Sequence, residues 1–194
     1  MARLRRELIA GSLSEPLAME ALSTFRLLKP KGWLRTVTSV ACSQRISVLV
    51  RSYALNLVIL NSYVRAFTAI LESAKLDESA FKEELIYSLR FVGDSRAEPF
   101  LIEVAKNVNL STPTREAAIE TLVGIGGRMT EAAYLDLLSD SEAGVRYWSL
   151  DGLAMIGGKN CADLIRPLLL DEGLTSDGNP VSSAAKKALA SVQR

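Results

Sequence analysis

The chain contains no histidine. Serine and cysteine nucleophiles activated by imidazole, imidazole-mediated proton transfer and most zinc and iron sites fall away together, because each needs a ring nitrogen that titrates or ligates near neutral pH. Cysteine is nearly as scarce: Cys42 and Cys161 are the two present. Far apart in sequence, they read as small apolar residues in a reducing compartment rather than as a disulfide. Long apolar runs are missing too. The most hydrophobic stretch, Ile46 to Leu71, is interrupted by Arg51, Asn56, Asn61 and Arg65, so it reads as two buried helices and no membrane span is expected. The start, MARLRRELIAGS, is basic but lacks an apolar segment of the length a secretory signal needs, and Glu7 argues against a mitochondrial presequence. A cytoplasmic location is the expectation. Period-two alternation does not persist beyond a few residues, which argues against sheet.

What the chain does have is a repeat. Leu22, Leu55, Ile86, Ile119 and Leu150 follow one another at intervals of 31 to 33 residues. Around them Arg51, Lys82, Arg115 and Arg146 share one place in the pattern, and Ala21, Ala54, Leu85, Ala118 and Ser149 another. Leu89, Leu122 and Leu153 follow, then Val92, Ile125 and Ile156, then Gly93, Gly126 and Gly157. A last copy, with Ala185, Ala188, Leu189 and Val192, comes after a longer interval that the polar loop Asp171 to Pro180 takes up. Periods in the thirties with two helices each describe a solenoid, in which every helix pair buries its apolar face against its neighbours.

The boundaries of the helices follow from their punctuation. Met1 to Ala10 reads as a lead-in helix with Leu4, Leu8 and Ile9 inward and Arg3, Arg5 and Arg6 outward. Ser14 and Pro16 open a helix that runs to Leu28 and is ended by Lys29-Pro30-Lys31-Gly32. Trp33 to Cys42 is its partner. Gln44 to Leu60 and Tyr63 to Lys75 form the next pair, divided near Asn61-Ser62. Asp77 opens a helix that stops at Gly93, and Ser95 with Glu98 has the spacing of a capping box before a helix over Ala97 to Asn107. Thr112-Pro113 and the glycines from Gly124 to Gly127 bound another, with Thr130 to Leu138 as its partner. Ser141 as N-cap and Gly157-Gly158 as a positive-φ stop bound the helix between them, Asn160 to Asp171 pairs with it, and Val181 to Val192 covers the end with Lys186, Lys187 and Arg194 facing water.

The run Val145-Arg146 through Leu150, Leu153 and Ile156 to Gly157, written VRxxxLxxLxxIG, resembles the short HEAT-like repeat of many bacterial proteins, phycobilin lyase subunits among them. The similarity is good from Glu78 to Leu170. The expected fold is all-α: a right-handed α-solenoid, or superhelix, of about five HEAT-like helix pairs plus a C-terminal capping helix. It is expected to form a single domain over 1–194, with divergent basic repeats at 1–75 and regular acidic repeats at 76–194. The resemblance implies little about activity, since that repeat serves scaffolds, lyases and DNA-repair enzymes alike.

Charge is unevenly placed: residues 1–75 hold 11 Lys and Arg against 4 Asp and Glu, whereas 76–194 hold 12 against 18. The acidic pairs Glu83-Glu84, Glu116 with Glu120, and Asp171-Glu172 read as solvated helix exteriors, so no metal and no other cofactor is expected. Gly157-Gly158-Lys159-Asn160 follows a helix rather than a strand and lacks the hydroxyl of a phosphate-binding loop, and it recurs one repeat earlier; both glycine turns read as structural. The remaining reading is a non-enzymatic scaffold or adaptor that binds a protein partner through the second helices. Candidate contacts there are Arg35, Thr38, Arg65, Thr68, Glu98, Glu103, Lys106, Glu131, Asp136, Asp163 and Arg166, all taken as exposed. Tyr147, Trp148 and Asp151 depart from the repeat pattern and mark a possible secondary contact. Two alternatives stay open: a bilin lyase subunit or other chromophore-handling enzyme, by resemblance, and nucleic-acid binding through the basic N-terminal half. The acids on the later second helices break any continuous basic groove, which counts against the last.

Overall fold

A computed structural model describes residues 1–91, 93–126 and 130–193, with nothing said of the side chains of Ser62 and Tyr63. Val92, Gly127 and Arg194, used above for the repeat register, a glycine turn and the terminal charge, lie outside the described residues. The chain divides into two compact units, Met1–Val92 and Gly93–Arg194. All regular structure among the described residues is helical, apart from an isolated bridge between Leu174 and Pro180. No helix among them is long and apolar enough to cross a membrane.

The first unit contains α1 (Ala2–Ala10), α2 (Glu15–Leu28), α3 (Trp33–Ala41), α4 (Val48–Leu76) and α5 (Phe81–Ser88), the last tightening into a 3₁₀ turn at Leu89–Phe91. The punctuation of α2 is as expected: Ser14 is the N-cap, Pro16 sits in the first turn, and Lys29 takes the left-handed conformation at φ 42° before Pro30, which has no N–H to continue the helix. In α1 only Leu8 is buried, while Ile9 is exposed. Arg5 faces water only in part. It is half-buried, donates to the Lys31 carbonyl at 2.7 Å and lies 5.9 Å from the centroid of Phe25.

Where two helices over 44–60 and 63–75 are expected, the backbone is helical without a break from Val48 to Leu76, as α4, and residues 44–47 form a turn before it. It is not a straight rod. Arg51 near its start bonds Asp77 just past its end, 26 residues on, a separation that a straight helix would stretch to about 39 Å. Gln44 likewise donates to the Leu76 carbonyl at 3.0 Å. The run therefore doubles back, and its two arms are the expected helix pair. Asn61, whose side chain donates to the Leu57 carbonyl at 2.8 Å, closes a carbonyl of the first arm. Neither Pro nor Gly stands in α4, which is why no gap interrupts the helical backbone.

The second unit contains a 3₁₀ turn at Ser95–Ala97, then α6 (Glu98–Lys106), α7 (Thr112–Ile125), α8 (Thr130–Leu137), α9 (Ala143–Ile156), a helical segment centred on α10 (Ala162–Ile165), and α11 (Val181–Val192). The α10 segment begins with a 3₁₀ turn at Lys159–Cys161 and tightens to 3₁₀ again at Arg166–Leu170, where Pro167 removes an N–H and its ring crowds the preceding turn. Helix α9 is central: it packs on α7, α8 and α11 and buries Val145, Ser149, Leu150 and Leu153. Three expected caps are corrected. Asp94, not Ser95, caps the 3₁₀ turn by accepting from the Arg96 N–H. Ser111 caps α7 through the Thr114 N–H at 3.3 Å. Glu142 rather than Ser141 is the N-cap of α9.

The glycine turns also differ from one another. Gly126 ends α7 at φ 71°, where a Cβ would be strained. Gly157 ends α9 at φ −66°, so its reason is space instead: an added Cβ would lie 2.6 Å from the Leu153 carbonyl oxygen and 3.1 Å from Val192.

One device recurs at the repeat arginines. Arg51 donates to the Ala41 carbonyl at 3.1 Å and to Asp77; Arg115 donates to the Ala105 carbonyl at 2.9 Å and to Asp140; Arg146 donates to Asp171 at 2.7 and 3.0 Å. Each aspartate also accepts the N–H two residues on, from Ser79, Glu142 and Gly173, at 2.8 to 3.0 Å. Burial alone would raise the carboxyls of Asp77 and Asp140, but for Asp77 the Ser79 hydroxyl, Arg51 and the Ser79 N–H, and for Asp140 Arg115 and the Glu142 N–H, outweigh it and hold both below the ordinary range. For Asp171 the Arg146 bond itself is the largest influence, in the same direction.

Truncating one member of a buried pair strands its partner. Arg115→Ala is expected to cost about 3–5 kcal/mol, with the Arg115→Ala/Asp140→Ala double variant losing less than the two singles together. Because the folded aspartates titrate below their unfolded value of about 3.9, their contribution is complete above it and disappears as pH falls through the folded values. The urea midpoint should therefore hold down to about pH 5 and fall steadily below. A midpoint indifferent to acid, or to Arg115→Ala, contradicts this role.

Candidate functional site

The first unit carries an open cleft of about 880 Å³ between α3 and the second arm of α4. Its α3 wall is Trp33, Leu34, Arg35, Thr38, Ser39 and Cys42, and its α4 wall is Asn61, Arg65, Ala66 and Ala69; Lys29 and Gly32, ahead of α3, also line it. Helical spacing explains the walls: Arg35, Thr38 and Cys42, and Arg65 and Ala69, recur at three and four residues and so share a face. Gly32, at φ 73°, precedes α3 and lets the chain turn from Lys29 into Trp33.

Three of the expected contact residues, Arg35, Thr38 and Arg65, thus meet in one place. Thr38 is a correction in one respect: it is buried, its hydroxyl donating to the Leu34 carbonyl at 2.9 Å, and contributes to the wall rather than to an exposed rim. Thr68 is exposed on α4 but does not line the cleft. Lys29, Arg35 and Arg65 are exposed, and none of them forms an ion pair among the described residues. Among the described residues, the lining contains no acid. Such a site attracts anions, and its apolar wall of Trp33, Leu34, Ala66 and Ala69 favours ligands with an apolar part. Lys29, Trp33, Cys42 and Asn61 were absent from the expected set. The alternation of basic and apolar residues in Lys29 to Arg35 was the available signal.

The second unit treats its expected contacts differently. Lys106 on α6 and Asp136 on α8 bond each other at 2.6 Å, and Asp163 and Arg166 do the same at 2.6 Å. Glu103 is exposed on α6. Glu98, expected on the surface, is buried in the first turn of α6. Glu131 accepts from the Cys161 thiol at 2.9 Å and from the Gly158 N–H at 3.2 Å, and these bonds hold its carboxyl below the usual range. Burial, reinforced by that carboxylate, pushes the Cys161 thiol up to about 11. Tyr147 and Trp148 meet edge to face at 5.5 Å, and the neighbouring Asp151 accepts from Lys187 of α11. Lys187 therefore faces water and also ties α11 to α9. Asp171, read as solvated, is the partner of Arg146.

A family model described as the PBS lyase HEAT-like repeat matches residues 145–171. The chain carries a HEAT-like repeat. No curated protein matches the chain. The matched HEAT-like repeat begins beside Arg146 and ends at Asp171, so it is one helix pair together with the ion pair that closes it. The same register places Arg115 with Asp140, and Arg51 with Asp77, at the two ends of equivalent stretches.

The two thiols should behave differently. Cys42 is half-buried at the cleft, 3.6 Å from the Ala69 carbonyl, and burial raises its pKa; Cys161 is fully buried. Alkylation of the folded protein at about pH 8 should modify Cys42 slowly and spare Cys161 until denaturant is added. Equal labelling of both in the native state, read by peptide mass spectrometry, contradicts these environments.

Proposed function

We propose that the protein is a non-enzymatic adaptor that holds a partner protein on the face made by its second helices. The observation that carries this reading is the gathering of Arg35, Thr38 and Arg65, from two successive second helices, around one open cleft. Helical repeats suit this use because stacking leaves one helix of each pair available for contact over a long surface. The exposed cations contribute little to folding, since a surface charge without a partner has no native bond to lose. Charge reversal with Arg35→Glu/Arg65→Glu is therefore expected to abolish partner capture from the source cell while leaving the thermal midpoint within a few degrees of the parent. Undiminished capture by that variant would overturn the assignment of the face.

A second reading is supported by the description of the matching family: handling of a bilin or related open-chain chromophore. The cleft volume lies within the range of small-molecule sites, and its cations would meet the carboxylates of such a ligand. Adding a bilin to the purified protein should then shift its visible absorption, with the shift lost in Arg35→Glu/Arg65→Glu. An unchanged spectrum refutes this reading.

A further inference from the structure

We infer that the cleft between α3 and α4 receives an acidic segment of a partner protein, in which carboxylates alternate with an apolar side chain. This rests on the adaptor reading and names the partner chemistry. Three features select it. Lys29, Arg35 and Arg65 surround the cleft without a counter-charge among the described residues, so an incoming carboxylate displaces only water from them. The same cleft is lined by Trp33, Leu34, Ala66 and Ala69, a surface that leaves water only for an apolar group. The contrast within the protein is equally informative: on the second helices of the other unit, Lys106 and Arg166 are already taken by Asp136 and Asp163. A nucleic-acid strand suits the cleft less well. Phosphates call for a continuous basic track, and bases for several stacking platforms, whereas here three cations flank one aromatic ring, Trp33.

The test uses the full chain and a fluorescent peptide alternating Glu and Leu, followed by anisotropy at low salt. Saturable binding is expected, weakened about tenfold or more by Arg35→Gln/Arg65→Gln, since each lost charge-assisted contact is worth about that factor. Replacing the peptide's Leu by Ser should weaken it as well. The bound peptide should slow alkylation of Cys42, a readout that holds on the parent protein even if a variant fails to fold. The inference is overturned by peptide affinity that ignores Arg35→Gln/Arg65→Gln in a folded variant, by equal binding of a Lys-Leu peptide, or by an oligothymidylate that outcompetes the acidic peptide. If partner capture depends on Arg35 and Arg65 while the acidic peptide does not bind, the acidic segment is wrong and the adaptor reading survives. If neither depends on them, both fall.

Discussion

The buried arginine–aspartate pair is the constraint on which the helix pairs depend. Its arginine starts a first helix, and its aspartate follows the second. The guanidinium fork is suited to the place because it can serve several acceptors at once. Arg51 and Arg115 each hold a carbonyl ten residues upstream as well as the aspartate, so one side chain fixes the preceding second helix, its own first helix and the end of its own second helix. The aspartate in turn orders the next turn through a backbone N–H. Arg51 adds a third restraint by lying over the Phe81 ring at 4.1 Å. A lysine offers a point charge with no such fork. At the remaining place in the register the sequence has Lys82 and, where the aspartate would stand, Asn107. Asn107 keeps the turn, accepting from the Asn109 N–H at 3.0 Å, but carries no charge. The boundary between the two compact units, at Val92 and Gly93, falls between these two residues in sequence.

Small residues let three of the first helices pack closely. The place two after the central leucine or isoleucine is held by Ser88, Thr121 and Gly152 in α5, α7 and α9, all buried, whereas the first arm of α4 has Leu57 there. At Gly152 the reason is visible: a Cβ would come within 2.5 Å of the ring of buried Tyr134 on α8. Gly157 answers a similar demand against Val192, although its place at the end of a helix suggests a turn residue. A glycine at a helix end therefore has two distinct physical explanations, and only the backbone angle separates them.

Much of the helical layout was legible because punctuation is local. Ser14-Pro16, Thr112-Pro113 and Lys29-Pro30 act within a turn of where they stand, and α11 lies over the residues its pattern gave. The ion pairs were hidden because nothing in a sequence links Arg115 to Asp140; the repeat register exposed the arginines, while the aspartates looked like ordinary loop acids. Caps misled where two candidates were adjacent, as with Asp94 and Ser95 or Ser141 and Glu142. Burial of Thr38 and Glu98 depends on which face of each helix meets its neighbours, and one residue along a helix turns the side chain by about 100°.

For the candidate site, the imbalance of charge between the two halves is an incomplete guide. Counting cations cannot tell a paired one from a free one. Arg51 is among the basic residues of the first 75, yet it is buried and bound to Asp77, whereas Arg35 and Arg65 are exposed beside an apolar wall. In the acidic half, Lys106 and Arg166 are likewise answered by nearby carboxylates. What distinguishes the α3–α4 cleft is thus the absence of acids among the described residues of its lining rather than the number of its bases. An uncompensated group of cations against apolar surface costs the folded protein little while it stays hydrated, and it yields favourable energy only when something anionic and partly apolar replaces that water.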